Sequence, residues 1–147
     1  MAKMGLSVRD DPRKVVDVAG RAWGEPVDGL SLSVALRLKE DADELATVSA
    51  AIHNRTAETH RLLTRGWLDF LRVSVMNSDG VAAEMTPYGR ELFKPERQRA
   101  LSEVVLAPGE AVEADIPIGS IYRMPKGMYR VQVRADGIAS NEIQIVV

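Results

Sequence analysis

The chain has no cysteine and only two histidines, two tryptophans, two phenylalanines and three tyrosines in 147 residues. Without cysteine there is no disulfide, no thiolate zinc site and no cysteine nucleophile. Neither charge is in real excess: 19 Lys and Arg stand against 21 Asp and Glu, a net −2. The arginines are scattered rather than massed, so no nucleic-acid footprint is expected. Long apolar runs are also missing. Met1 to Val18 carries Arg9, Asp10, Asp11, Arg13 and Lys14, which fits neither a signal peptide nor a membrane span. The expected state is soluble, in the cytoplasm as the chain is given, or exported if a leader has been removed.

Catalytic signatures are equally sparse. There is no Gly-x-Ser-x-Gly elbow and no Ser-x-x-Lys, and the glycines sit singly at turns instead of forming a phosphate loop. The spacing of His53 and His60 does not suit a helical metal pair; a zinc site would need Glu58 and Asp69 to fold back onto them. Glu40, Asp41, Asp43 and Glu44 offer hard oxygens for calcium but lack the rhythm of a dedicated loop, and a solvated turn explains them equally well. No cofactor, no metal site and no catalytic residue is therefore assigned.

What the chain does have is a period of two. Leu30, Leu32, Val34, Leu36 and Leu38 share one parity, with Ser31, Ser33, Ala35 and Arg37 on the other, the pattern of a half-buried strand. Leu45–Ile52 follows, with Val48, Ala50 and Ile52 inward. Leu68–Met76 carries Leu71, Val73 and Val75 and ends in Asn77-Ser78-Asp79-Gly80, a hairpin turn from which Val81–Met85 is expected to return antiparallel. Pro87–Arg99 reads as a connection with a helical turn. Leu101–Leu106 and Ala111–Ile116 flank the Pro108-Gly109 turn, and Ile118–Lys126 crosses between sheets. Tyr129, Val131, Val133 and Ala135 lie on one face of the next strand, and Asp136-Gly137 turns it towards Asn141–Val147. About eight short strands with turns between them favour an antiparallel arrangement over a parallel sheet.

Residues 1–28 fit this pattern less well. Asp11-Pro12 and Gly24 suit the two ends of a helix with Val15, Val16, Ala19, Ala22 and Trp23 on one face. Against it, Val15, Val16 and Val18 are β-branched and Gly20 interrupts the run. An extended N-terminal extension with an extra edge strand near Lys14–Val18 is therefore favoured, and the helix stays open as the alternative. Trp23 is expected to pack on the body as an anchor.

Two surfaces stand out as candidate partner-binding sites. The outward parity of the Tyr129 strand holds Arg130, Gln132 and Arg134, and neighbouring strands add Arg72 and Gln144, giving a cationic stripe suited to an acidic partner. The connection from Asn54 to Trp67 holds Leu62 and Leu63, which would be a hydrophobic anchor if both were exposed. Homo-oligomerisation is open through an unpaired edge strand such as Leu30–Leu38.

Pro125-Lys126-Gly127-Met128-Tyr129-Arg130-Val131 has the pattern of a tyrosine corner, in which the phenol ties a loop to nearby backbone. Together with Leu68-Asp69-Phe70, the Asn77–Gly80 turn, Phe93, Leu106-Ala107-Pro108-Gly109-Glu110 and the Ser140-Asn141-Glu142-Ile143 strand, it resembles bacterial immunoglobulin-like domains. More loosely, the order is similar to the bacterial intracellular proteinase-inhibitor domain. The resemblance spans roughly Leu45–Val147 and implies an all-β immunoglobulin-like antiparallel β-sandwich of about seven to nine strands, without the usual disulfide; the strand pattern extends that domain to residues 29–147. The resemblance also implies a non-catalytic module for protein–protein interaction or structural support, with a proteinase inhibitor as the alternative. Apart from the resemblance, a metal-binding module or enzyme is the third reading. The partner would be a protein of unknown identity; no nucleic acid and no membrane is expected.

Overall fold

The computed structural model describes residues 14–15, 18–37, 45–66, 70–94 and 101–147. The fold is all-β, built from antiparallel sheets with few helical turns. In chain order the strands begin with β1 (Lys14–Val15), β2 (Leu30–Leu36), β3 (Val48–Asn54), β4 (His60–Thr64) and β5 (Arg72–Asn77). A short helix, α1 (Pro87–Leu92), precedes β6 (Ser102–Leu106) and β7 (Ala111–Ile116). The one-turn helix α2 (Ile118–Ile121) then leads to β8 (Met128–Ala135), β9 (Ile138–Ala139) and β10 (Ile143–Val146).

One sheet has the order β1-β7-β3-β2, a second has β10-β8-β5 with β9 also paired to β8, and β4 and β6 form a two-stranded ribbon. As the sequence suggested, the crossing after β7 carries the chain from the first sheet to the second. The two larger sheets share one core: Leu32, Val34, Val48 and Ile52 from the first join Val75, Val131, Val133 and Ile145 from the second. Leu106 of the ribbon and Ile118 and Ile121 of α2 close it. Each fully buried Leu, Ile or Val contributes roughly 1.5–3 kcal/mol relative to exposure. Ala50, Ile52 and Val131 are wholly buried, so the core is filled by packing where no disulfide exists.

Local chemistry sets the turns. Asp136 and Gly137 both have positive φ (45° and 82°), the requirement of a two-residue hairpin whose twist matches its strands. Thr86 caps α1 by accepting from the Gly89 N–H at 3.0 Å, and Pro87 takes the first helical position, where its missing N–H costs nothing. The Tyr129 hydroxyl donates to the Pro125 carbonyl at 2.5 Å, so the expected tie between that phenol and nearby backbone is formed. Asn54 is fully buried and holds one end of the fold. Its amide donates to the carbonyls of Glu58, Leu106 and Ala107, and its Oδ1 accepts from the Thr56 N–H and hydroxyl.

Four expectations need correction. Val81–Met85 does not form a strand; it makes only isolated bridges, Met76 to Ala82 and Met85 to Tyr122. The Asn77 carboxamide accepts from the Asp79 and Val81 N–H groups, which fastens the start of the return to the turn. The connection after Asn54 is not only a loop, because it contains β4, paired in register with β6. Leu62 is not exposed beside Leu63: successive strand residues face opposite sides, so Leu62 packs against the core while Leu63 is 66% exposed. Finally, β2 is buried on both faces over Leu30–Val34, since Ser31 and Ser33 are as inaccessible as Leu32, whereas Leu36, expected on the buried side, is 46% exposed at the strand's end.

Candidate functional site

The outer face of the β10-β8-β5 sheet gathers the polar residues singled out in the sequence. Alternation along β8 buries Tyr129, Val131, Val133 and Ala135 and turns Met128, Arg130, Gln132 and Arg134 outward. Antiparallel register then sets their neighbours. Arg72 stands directly opposite Arg134, Ser74 opposite Gln132, and Met76 opposite Arg130, which also faces Gln144 of β10. Thus Arg72, Arg130, Gln132, Arg134 and Gln144 do come together on one face.

Two features of this face bear on its chemistry. Like charges directly opposite on adjacent strands destabilise a sheet, yet Arg72 and Arg134 are so placed. Among the described residues, none of the three arginines forms an ion pair. Among the described residues Asp79, Asp136 and Glu142 are near these arginines in the chain, and they are exposed and not paired with them; Asp69, three residues before Arg72, lies outside the described residues. Gln132 orders one end of the stripe, accepting from Arg134 Nη2 at 3.0 Å while its own Nε2 donates to the Ser140 carbonyl at 2.9 Å. Beyond Arg130, Met128 pairs with Val146, and these two are 45% and 75% exposed. The sequence reading missed this apolar end, although Met128 and Val146 share the outward parity of Arg130 and Gln144.

The second predicted surface divides. Leu63 lies on the outer side of the β4–β6 ribbon with Val105 near the Arg61–Glu103 ion pair (2.9 Å), whereas Leu62 is committed to the core. Trp67, like Asp69 and the acidic stretch Glu40, Asp41, Asp43 and Glu44, lies outside the described residues. Among the described residues no three His, Asp or Glu side chains are grouped to hold a metal ion, and no helix is long and apolar enough to cross a membrane. A pocket of about 260 Å³ lies between the Val81–Glu84 arm and Arg123, Pro125 and Tyr129.

A further arrangement was not anticipated. On the outer face of the first sheet, Ser33, Ser49 and Ala51 are small and leave a trough. The Arg21 side chain reaches over these residues. The Arg21 guanidinium donates to Ser33 Oγ (3.1 Å), Ser49 Oγ (3.0 Å), the Ser49 carbonyl (2.9 Å) and Glu113 Oε2 (2.7 Å). Ser49 Oγ also donates to Glu113 Oε2 at 2.5 Å. The Arg21 and Glu113 side chains are only 9% and 13% exposed. Burial lowers the Arg21 pKa from its ordinary value, and the Glu113 carboxylate opposes that shift.

Trp23 anchors the Val18–Gly24 segment. Its indole N–H donates to the Val18 carbonyl at 3.1 Å, and its ring lies 5.3 Å from that of His53, tilted by 47°. Ser31 faces His53 across the strand pair, and Ser31 Oγ and His53 Nδ1 are both buried without a hydrogen-bond partner. Desolvation lowers the His53 pKa from its usual value, and Arg55 adds to the shift while a backbone contact at Gly109 opposes it. Gly24 sits so close to the second sheet that a Cβ there would lie 2.0 Å from the Ala139 carbonyl oxygen.

No protein-family model matches this sequence, and no curated protein shows significant similarity to it. Among solved structures the chain is similar to one described as the crystal structure of β-D-glucoside glucohydrolase from Trichoderma reesei, at 17% identity and a TM-score of 0.39. That likeness covers 79% of this chain but only 18% of the other, so the chain spans less than a fifth of the protein it matches.

Proposed function

We propose that the chain is an immunoglobulin-like β-sandwich serving as a non-catalytic binding module, and that it docks an acidic protein partner on the outer face of β10-β8-β5. The fold reading is supported by the tie from Tyr129 to Pro125 and by two antiparallel sheets packed over a common core. The docking reading rests on one observation: Arg72 and Arg134 are set directly opposite each other, and among the described residues no carboxylate pairs with either to offset their repulsion. A partner carboxylate between them relieves that repulsion and gains charge-assisted hydrogen bonds. Binding is therefore expected to be fast, electrostatically steered and sensitive to salt.

The test uses fluorescently labelled poly-L-glutamate and the full chain. Wild-type protein is expected to raise the anisotropy at low ionic strength and to lose the signal as salt is added. The triple substitution Arg72→Ser, Arg130→Ser, Arg134→Ser is expected to abolish binding with an unchanged circular dichroism spectrum. Equal binding by the folded triple variant would overturn the assignment of this face.

A further inference from the structure

Resting on that docking reading, we infer that the partner segment is extended, with two acidic side chains four residues apart and an apolar one two residues outside them. The spacing comes from β8 itself. Arg134 and Arg130 share its outer face four residues apart, which at about 3.3 Å per residue places them about 13 Å apart. Neutral Gln132 and its cross-strand neighbour Ser74 lie between them. Two residues beyond Arg130, the same face becomes apolar at Met128 and Val146.

An extended ligand laid along β8 also presents every second side chain to the sheet. Its facing residues therefore meet Met128, Arg130, Gln132 and Arg134 one for one: apolar, acidic, polar, acidic. The end at Arg134 is the stronger anion site, because Arg72 adds a second guanidinium there and Gln132 holds Arg134 in place. A helical ligand does not fit the same spacing. At about 1.5 Å per residue, 13 Å corresponds to roughly nine helical residues, so acids four apart on a helix would reach only one of the two arginine positions.

The experiment measures fluorescence anisotropy of labelled ten-residue peptides of equal net charge against the full chain. The probes carry two glutamates four apart with a valine two residues outside, two adjacent glutamates with the same valine, or glutamates four apart with serine replacing valine. The first is expected to bind about fivefold more tightly than the second, the range available to one additional exposed ion pair. Arg130→Ala should remove that preference, and Met128→Ser should remove the advantage of valine over serine. Equal affinity for both glutamate spacings would overturn the extended register while leaving an acidic docking face in place. Absence of binding by every acidic peptide, with the protein folded by circular dichroism, would overturn both.

Discussion

The carboxamide of Asn141 pairs with the backbone of Val34 as a neighbouring strand would. Val34 N–H donates to Asn141 Oδ1 at 2.9 Å, and Asn141 Nδ2 donates to the Val34 carbonyl at 3.0 Å. Gly24 N–H similarly donates to the Leu32 carbonyl at 2.9 Å. β2 is the last strand of its sheet, and such an edge is a template for pairing with another chain. Here the Leu32 carbonyl and both backbone groups of Val34, within the strand expected to pair between copies, are occupied from within the same chain.

Asn141→Ala should therefore act in two ways. It leaves the Val34 backbone groups without partners in a buried position, costing about 1–3 kcal/mol, which urea denaturation would register. It also opens the edge, so sedimentation velocity should show concentration-dependent self-association that the wild-type protein does not show at the same concentration. A variant of undiminished stability that stays in the wild-type state would show that Asn141 protects nothing.

A second expectation concerns Arg21 and Glu113. Removing one member of a buried ion pair strands the other, a loss typically of about 3–5 kcal/mol, whereas replacing both with apolar residues of similar size is often nearly neutral. Glu113→Ala should accordingly destabilise strongly, and the double substitution Arg21→Met, Glu113→Leu should recover most of the loss. Chemical denaturation of the single and double variants measures this. If Glu113→Ala costs no more than an exposed pair, under about 1 kcal/mol, the Val18–Gly24 segment does not depend on the pair.

The sequence showed the parts of the fold whose determinants are local. β8 was readable because its inward residues alternate with polar ones and solvent lies on the far side. Asp136-Gly137 and Asn77–Gly80 were readable from turn chemistry. β2 was only half readable: Ser31 and Ser33 look like solvent-facing residues, yet Ser33 is a partner for Arg21, twelve residues earlier. β4 was hidden because Leu62 and Leu63 break the alternation at its centre. The arginine face was visible as a list of residues, but the opposition of Arg72 and Arg134 is a matter of register between strands nearly sixty residues apart, which period alone does not set. The small outward residues Ser33, Ser49 and Ala51 were a signal that something larger lies over the sheet.

The Tyr129 hydroxyl donates to the Pro125 carbonyl across four residues, and the ring itself belongs to the core. Tyr129→Phe keeps the ring and removes only the hydrogen bond, so it should cost about 1 kcal/mol, the usual net worth of such a bond. Gly127 and Val147 exchange backbone bonds nearby, so the loop stays attached and the loss should remain local. Hydrogen exchange is expected to quicken in residues 123–128 with little change in β2 or β3. A stability equal to wild type would mean that the phenol contributes nothing beyond its ring.

His53 sets an expected pH dependence. Its folded pKa is lowered, chiefly by desolvation and secondarily by Arg55, so the folded protein binds that proton less readily than the unfolded chain. Stability linked to His53 is therefore complete above the unfolded value near pH 6.5 and declines as pH falls through that value and the lower folded one. His53 Nδ1 is buried without a hydrogen-bond partner, in keeping with desolvation as the largest cause of the shift. His53→Gln removes the titrating group. The difference in unfolding free energy between wild type and this variant should be constant above pH 7 and shift against the wild type as pH is lowered towards 5. Trp23 fluorescence should follow the same transition, since its ring lies against the imidazole. Parallel stability profiles for the two proteins between pH 7 and 5 would show that His53 takes up its proton as freely in the folded chain as in the unfolded one.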